Sequence, residues 1–262
     1  MEILLGYLSL GLLAGVLAGL LGVGGGLVIV PALLFLFSYQ GFPEALSMHM
    51  AVGSSLASVV FTSVSSGLAH HRRGAVCLRV VNLLTPGILV GAGLGAWLAD
   101  MVNARLLQWI FAGFEILVAA QLYWGYRPAA HRELPGQPAL IGVGSVIGGL
   151  SALLGIGGGT LTVPFLVWCN VAMHRAVGTS AVCGLPIALA GALGFTATGW
   201  AVPGLPPWSS GYLYWPAIAA VVAASALSAP LGARWAHALP VATLKRMFAG
   251  VLLLIGLRML GS

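Results

Sequence analysis

At 262 residues, with 60% hydrophobic and only 6% charged residues, the chain is not a soluble globular domain, which would carry about a quarter charged residues. Its net charge of +6 does not describe a nucleic-acid surface. The basic residues sit mostly at the ends of apolar segments, where retained cytoplasmic loops collect them. Cys77, Cys169 and Cys183 have neither metal-ligand spacing nor an even-numbered disulfide framework.

A membrane-crossing helix needs about 20 mostly apolar residues. The first such stretch covers 3–21; it is long enough to span and has no basic region before it, so it is expected to stay in the protein rather than leave as a signal peptide. Gly22, Gly24, Gly25 and Gly26 interrupt the apolar run. A shorter stretch over 27–39, containing Pro31, follows them. Spans are then expected over 47–69, 79–99 and 105–124. After the more polar join the order begins again. A stretch over 139–156 runs into Gly155, Gly157, Gly158 and Gly159, and a short one over 160–169 contains Pro164. Further spans are expected over 173–198, 212–236 and 243–260.

This is an internal repeat. Residues 20–33 read LLGVGGGLVIVPAL and residues 153–166 read LLGIGGGTLTVPFL, identical at nine of fourteen positions. HMAVGSS at 49–55 returns as HRAVGTS at 174–180, and Phe-Ala-Gly at 111–113 returns at 248–250. Three parts follow: a first membrane repeat over 1–127, a cytoplasmic connecting loop over 128–138 and a second repeat over 139–262.

Charge orients the halves. The loop after the third apolar segment carries Arg72, Arg73 and Arg79, whereas its counterpart near 199–211 has no basic residue. Basic loops stay in the cytoplasm, so the equivalent loops belong on opposite sides and both termini lie outside. The fold expected is therefore an all-α polytopic membrane protein of two inverted repeats, a common transporter plan. Parity requires the segment before each HxAVG to enter and leave on one side, by two crossings or by a re-entrant hairpin with Gly-broken helices.

Each glycine costs a helix about 1 kcal/mol relative to alanine, so the clusters unwind it, and Pro31 and Pro164 are expected to add a second break. Irregular backbone is not tolerated facing lipid, so the turns must be buried in protein or line a wet cavity. A helix restarting there offers free N–H groups to an anion. The substrate-binding candidates are accordingly Gly22, Gly24, Gly25 and Gly26 with Ser54 and Ser55, and Gly155, Gly157, Gly158, Gly159 and Thr160 with Thr179 and Ser180. Close helix packing is the other reading of the glycines, and bonding back to their own helix is the other reading of the hydroxyls. No GK[ST] follows, so nucleotide binding is set aside.

Glu115 lies in the middle of an apolar run and is a candidate for ion coupling, or else a hydrogen-bonded anchor. Its repeat counterpart is Leu252. His49 and His174, matched residues ahead of AVG where a helix is expected to begin, could titrate or serve as caps. Arg175 could draw an anion to the mouth or merely mark the cytoplasmic side. Aromatic residues around 200–215 suit a membrane interface. No catalytic constellation, metal cluster or cofactor motif is apparent.

The doubled glycine-proline motif with AVG-[ST]-S resembles the sulfite exporter TauE/SafE family of bacterial membrane permeases, over essentially the whole chain. The resemblance implies a secondary carrier in the bacterial inner membrane for sulfite, a sulfonate or a related sulfur-containing anion. Its partners would be that anion, the lipid bilayer and a coupling proton or sodium ion, with no nucleic acid. An anion channel and a membrane-embedded enzyme are the competing classes; the absence of an ATP-binding motif points to an ion gradient as the driving force.

Overall fold

The computed structural model describes residues 2–21, 25–125, 133–236 and 241–261. Gly22 and Gly24 of the first glycine cluster, and Arg127 and Arg132 of the join, lie outside these residues. The fold is all-α. The first half holds α1 (Glu2–Leu21), α2 (Gly26–Tyr39), α3 (Glu44–Arg72), α4 (Leu78–Met101) and α5 (Ala104–Trp124). The second holds α6 (Gln137–Leu153), α7 (Gly159–Trp168), α8 (Met173–Gly199), α9 (Trp215–Ala236) and α10 (Val241–Gly261). Two short strands, β1 (Ser209–Ser210) and β2 (Leu213–Tyr214), pair antiparallel between α8 and α9. They displace the start of α9 from the expected 212 to Trp215. Among the described residues, α3, α4, α5 and α8 are each long and apolar enough to cross a membrane.

The elements recur in one order, a short helix (α2, α7) following a longer one and preceding the longest of its half (α3, α8). The helix starts have local causes. The Asn103 side chain accepts a hydrogen bond from Leu106 N–H at 2.7 Å and caps α5, satisfying a donor the first turn leaves free. Gly125, at φ +66°, ends it in the left-handed cap that glycine accepts most readily.

Small residues decide which helices touch, because helices in lipid gain little from burying apolar surface and associate through close packing. Gly11 and Gly15 of α1 lie on Val221–Ala224 and Ser225–Ser228 of α9, so these helices run parallel. Gly87, Gly91 and Gly95 of α4 lie on Ile141, Ser145 and Gly149 of α6, again parallel. The central pair runs the other way. Gly53 of α3 faces Phe195, Leu56 faces Gly191, Ser63 faces Gly184 and Gly67 faces Val182, so α3 and α8 are antiparallel. The pair α5 and α10 is antiparallel too, with Gln108 Nε2 donating to Met259 O and Ala112 beside Gly256.

The first short helix folds back along its predecessor. Gly6 sits against Leu36 and Gly25 near Ala14, and the Gln40 amide hydrogen-bonds the Tyr7 hydroxyl, so α1 and α2 form an antiparallel hairpin. The expected breaks at Pro31 and Pro164 do not occur. Both prolines lie inside continuous helices, α2 and α7. A proline there removes one N–H, which frees a single carbonyl (Leu27 in α2, Thr160 in α7) without ending the helix.

Candidate functional site

The two glycine turns meet inside the protein. A Cβ on Gly26 would stand 2.7 Å from Gly155 O and 2.8 Å from Ile156 Cα, so only glycine lets the turns come this close. Gly155 has φ +68° and also abuts Val30 and Val52, while Gly157 lies by Val59 and Gly158 by Ser180, Gly184 and Ile187. These contacts set the meeting point level with the middle of α3 and α8. Gly25, Gly26, Gly155, Gly157 and Gly158 are all buried, and Gly159 is partly so. Gly26 of the first half and Gly155 of the second are thus brought to one place, beside the starts of α2 and α7.

The hydroxyls of AVG-[ST]-S all have partners within the protein. Ser54 Oγ accepts from Tyr214 N–H at 3.0 Å, and Thr179 Oγ1 accepts from Cys77 N–H at 3.0 Å. These are matched bonds. Tyr214 immediately precedes α9 and Cys77 immediately precedes α4. The neighbouring glycines match as well: Gly53 makes room for Tyr212 O and Gly178 for Ala75 O. AVG-[ST] is therefore a socket in each half that seats the chain entering the next long helix. Ser55 Oγ donates to Gly155 O at 2.8 Å and ties α3 to the second turn, and Ser180 Oγ donates to Val177 O at 2.9 Å in its own helix.

Replacing Ser54 or Thr179 by valine leaves a backbone N–H without its acceptor, at a cost of about 1–3 kcal/mol. Exchange of serine and threonine between the two sites keeps the acceptor. Thermal unfolding of the purified protein should show a lowered midpoint for both valine variants and little change for Ser54→Thr and Thr179→Ser.

Three buried hydroxyls flank the second turn without a partner among the described residues: Ser151, Thr160 and Thr162. The repeat aligns Thr160 with Leu27 and Thr162 with Ile29, both buried. The polar capacity of the meeting point thus lies with the second half. Sequence reading included Thr160 and missed Ser151 and Thr162; comparing the aligned halves for polar-against-apolar differences would have found both. The groove between α6 and α7, about 480 Å³, is lined by apolar residues such as Val143, Val146, Ile147, Leu150 and Leu161, and offers no hydrogen bond to an anion.

His49 does not begin a helix, since α3 starts at Glu44. It caps another. Its Nε2 faces Ala99 O at 2.9 Å and Val102 O at 3.1 Å at the end of α4, and two acceptors require that nitrogen to donate. The ring stacks on Tyr212, centroids 5.2 Å apart, and the Tyr212 hydroxyl donates to Asp100 Oδ1 at 2.8 Å. Burial first, and then the bond to Asp100, push the Tyr212 phenol above its usual range, so it remains a donor. His174 is exposed near the start of α8 with Arg175, also exposed, beside it. The matched histidines therefore stand in different environments. Glu115 is fully buried on α5. Trp200, Trp208 and Trp215 are exposed around the α8–α9 connection.

The family model described as Sulfite exporter TauE/SafE matches residues 7–259. A probable membrane transporter protein of Haemophilus influenzae is 36% identical over 254 residues, covering 96% of each chain. The probable membrane transporter protein YdhB of Bacillus subtilis is 26% identical over 255 residues, covering 92% of this chain and 96% of its own. One from Methanocaldococcus jannaschii is 27% identical over 215 residues, covering 78% of this chain and 73% of its own. No solved structure matches the chain.

Proposed function

This chain belongs to the sulfite exporter TauE/SafE family, and we propose that it is a secondary transporter for a small sulfur-containing oxyanion, sulfite or an organosulfonate, driven by an ion gradient. The observation that carries this reading is the meeting of two buried glycine turns, each at the start of a short helix, at mid-depth in the protein. Helix starts present N–H groups and the positive end of a dipole, which suit an oxyanion, and Ser151, Thr160 and Thr162 supply hydroxyls close by in sequence.

The halves act as inverted repeats in this reading. A two-fold rotation that exchanges them maps the α1–α9 pairing onto α6–α4, and maps the α3–α8 and α5–α10 pairings onto themselves. Because α3 and α8 are matched yet antiparallel, the axis lies across the helices, in the membrane plane. In this reading the α3–α4 connection and the start of α8 share one face with the ends of α5 and α9. Among the described residues, Arg72, Arg73, Arg79, Arg175, Arg234, Lys245 and Arg246 belong to that face in this reading, and Arg105 and Arg258 to the other. The basic face is cytoplasmic by the positive-inside bias, and both termini lie outside the bacterial inner membrane. Alternating access is then a rocking of one half against the other about the glycine turns. Arg175, exposed on the cytoplasmic face, attracts the anion to that mouth. No step of this function requires an enzyme's nucleophile or acid–base pair.

The test is uptake of radiolabelled sulfite and of a small sulfonate into proteoliposomes, with and without an imposed ion gradient. The expected result is saturable uptake that rises with the gradient. Flux that never saturates and follows the electrical potential alone would favour a channel, and no flux of either anion would refute the substrate class.

A further inference from the structure

Glu115 stands apart from the glycine turns and from every hydrogen bond described above. It is 0% exposed, and neither carboxyl oxygen has a partner among the described residues. Within one turn on its own helix lie Phe111, Ala112, Val118 and Ala119, all buried. The antiparallel register that sets Gln108 by Met259 and Ala112 by Gly256 brings Glu115 level with Leu252 of α10, itself fully buried. Leu252 is also its counterpart in the repeat. The acid therefore lies where two matched helices cross, on the seam between the halves, and only one half supplies it.

Charged and titratable groups on the elements packed around it are remote along the chain. On α5 the only other charge is Arg105. On α10 Lys245, Arg246 and Arg258 are six or seven residues from Leu252, about 9–10 Å along a helix at 1.5 Å per residue. On α3 nothing titratable lies between Met50 and Ala69. A metal cation needs several oxygen ligands. Phe111, Ala112, Val118, Ala119 and Leu252 add no side-chain oxygen ligand to the Glu115 carboxylate. A proton needs only the carboxylate.

We infer that Glu115 binds a single coupling proton, and that the anion moves with this proton rather than with a sodium ion. The inference rests on the transporter reading above. One carboxylate takes up one proton from one side of the membrane and releases it to the other, and Leu252 at the matched position limits the exchange to one proton per cycle. An acid on the seam is reached from opposite sides as the halves rock, which is the access a coupling site requires.

Two measurements test this. The first needs no substrate: the infrared spectrum of the purified full-length protein at neutral pH should show the carbonyl stretch of a protonated carboxylic acid, absent in Glu115→Gln. The other four acidic residues are Glu2, Glu44, Asp100 and Glu133, all exposed. No such band in the wild type overturns the inference. The second uses proteoliposomes. Glu115→Gln should lose accumulation driven by a pH gradient by more than about tenfold, equivalent to about 1.4 kcal/mol, while still exchanging labelled for unlabelled anion. Accumulation that survives in the variant overturns the inference, as do loss of exchange along with it and sodium-driven accumulation in the wild type. A wild type that shows the band but moves no anion would refute the substrate reading and leave Glu115 as the proton site.

Discussion

Gly155→Leu should abolish transport while the protein still inserts and keeps its helices. Its φ of +68° is one that a residue with a Cβ adopts at a cost, about 1–2 kcal/mol for the left-handed region. The added Cβ would also lie 2.9 Å from Val30 Cγ2 and 3.0 Å from Val52 Cα. Any shift to relieve this would move Gly155 O, which holds Ser55 Oγ at 2.8 Å, and would part the two turns. Gly26→Leu should act alike, since its Cβ meets the backbone of Gly155 and Ile156. Gly25→Ala is the contrasting case. Its Cβ would approach only Ile29 Cδ1, at 3.0 Å, and more distant side-chain atoms, and a flexible side-chain end can move. Uptake assays on the three variants at matched membrane levels should show loss, loss and near-normal flux. Equal loss in all three would mean that a general intolerance of side chains, rather than contact between the turns, explains the motif.

The largest effect on the fold itself is expected at α4. A Cβ on Gly91 would stand 2.0 Å from Ser145 O, and those on Gly87 and Gly95 would stand 2.0 and 2.3 Å from Ile141 O and Gly149 O. All three clash with backbone, which cannot step aside as a rotamer can. Overpacking typically costs about 1–3 kcal/mol, and forcing two helices apart along this length exceeds it. Gly91→Leu should therefore fail to give a monodisperse protein on size-exclusion chromatography after extraction. Gly93→Leu, two residues away on the exposed face with nothing within 4 Å of its Cβ, should behave as the wild type. The pair separates a helix-packing role from any intolerance of leucine in α4.

The distribution of what could be read beforehand follows from the range of the interactions. The spans were visible because apolar length is a property of contiguous residues, and α1, α3, α4, α5 and α8 fall within a few residues of expectation. The duplicated glycine clusters were visible as an interruption and a repeat, and the described ones meet in the interior. The role of AVG-[ST] was not visible. Ser54 bonds a residue 160 positions away and Thr179 one 102 positions away, and neither partner carries a signal in its own side chain because the donor is backbone. His49 is expected at a helix start, whereas its partners close a different helix, at Ala99 and Val102. The prolines misled for the opposite reason: a local rule foresaw a break, but the loss of one N–H leaves each helix continuous.

If the paired glycine turns form a site reached alternately from the two sides of the membrane, a cysteine at Thr160 will show it. After Cys77, Cys169 and Cys183 are replaced, a membrane-impermeant maleimide is applied to one side of oriented vesicles at a time. Labelling is expected from either side, with protection from both by a small sulfonate. Labelling from one side only, unaffected by the anion, would contradict it.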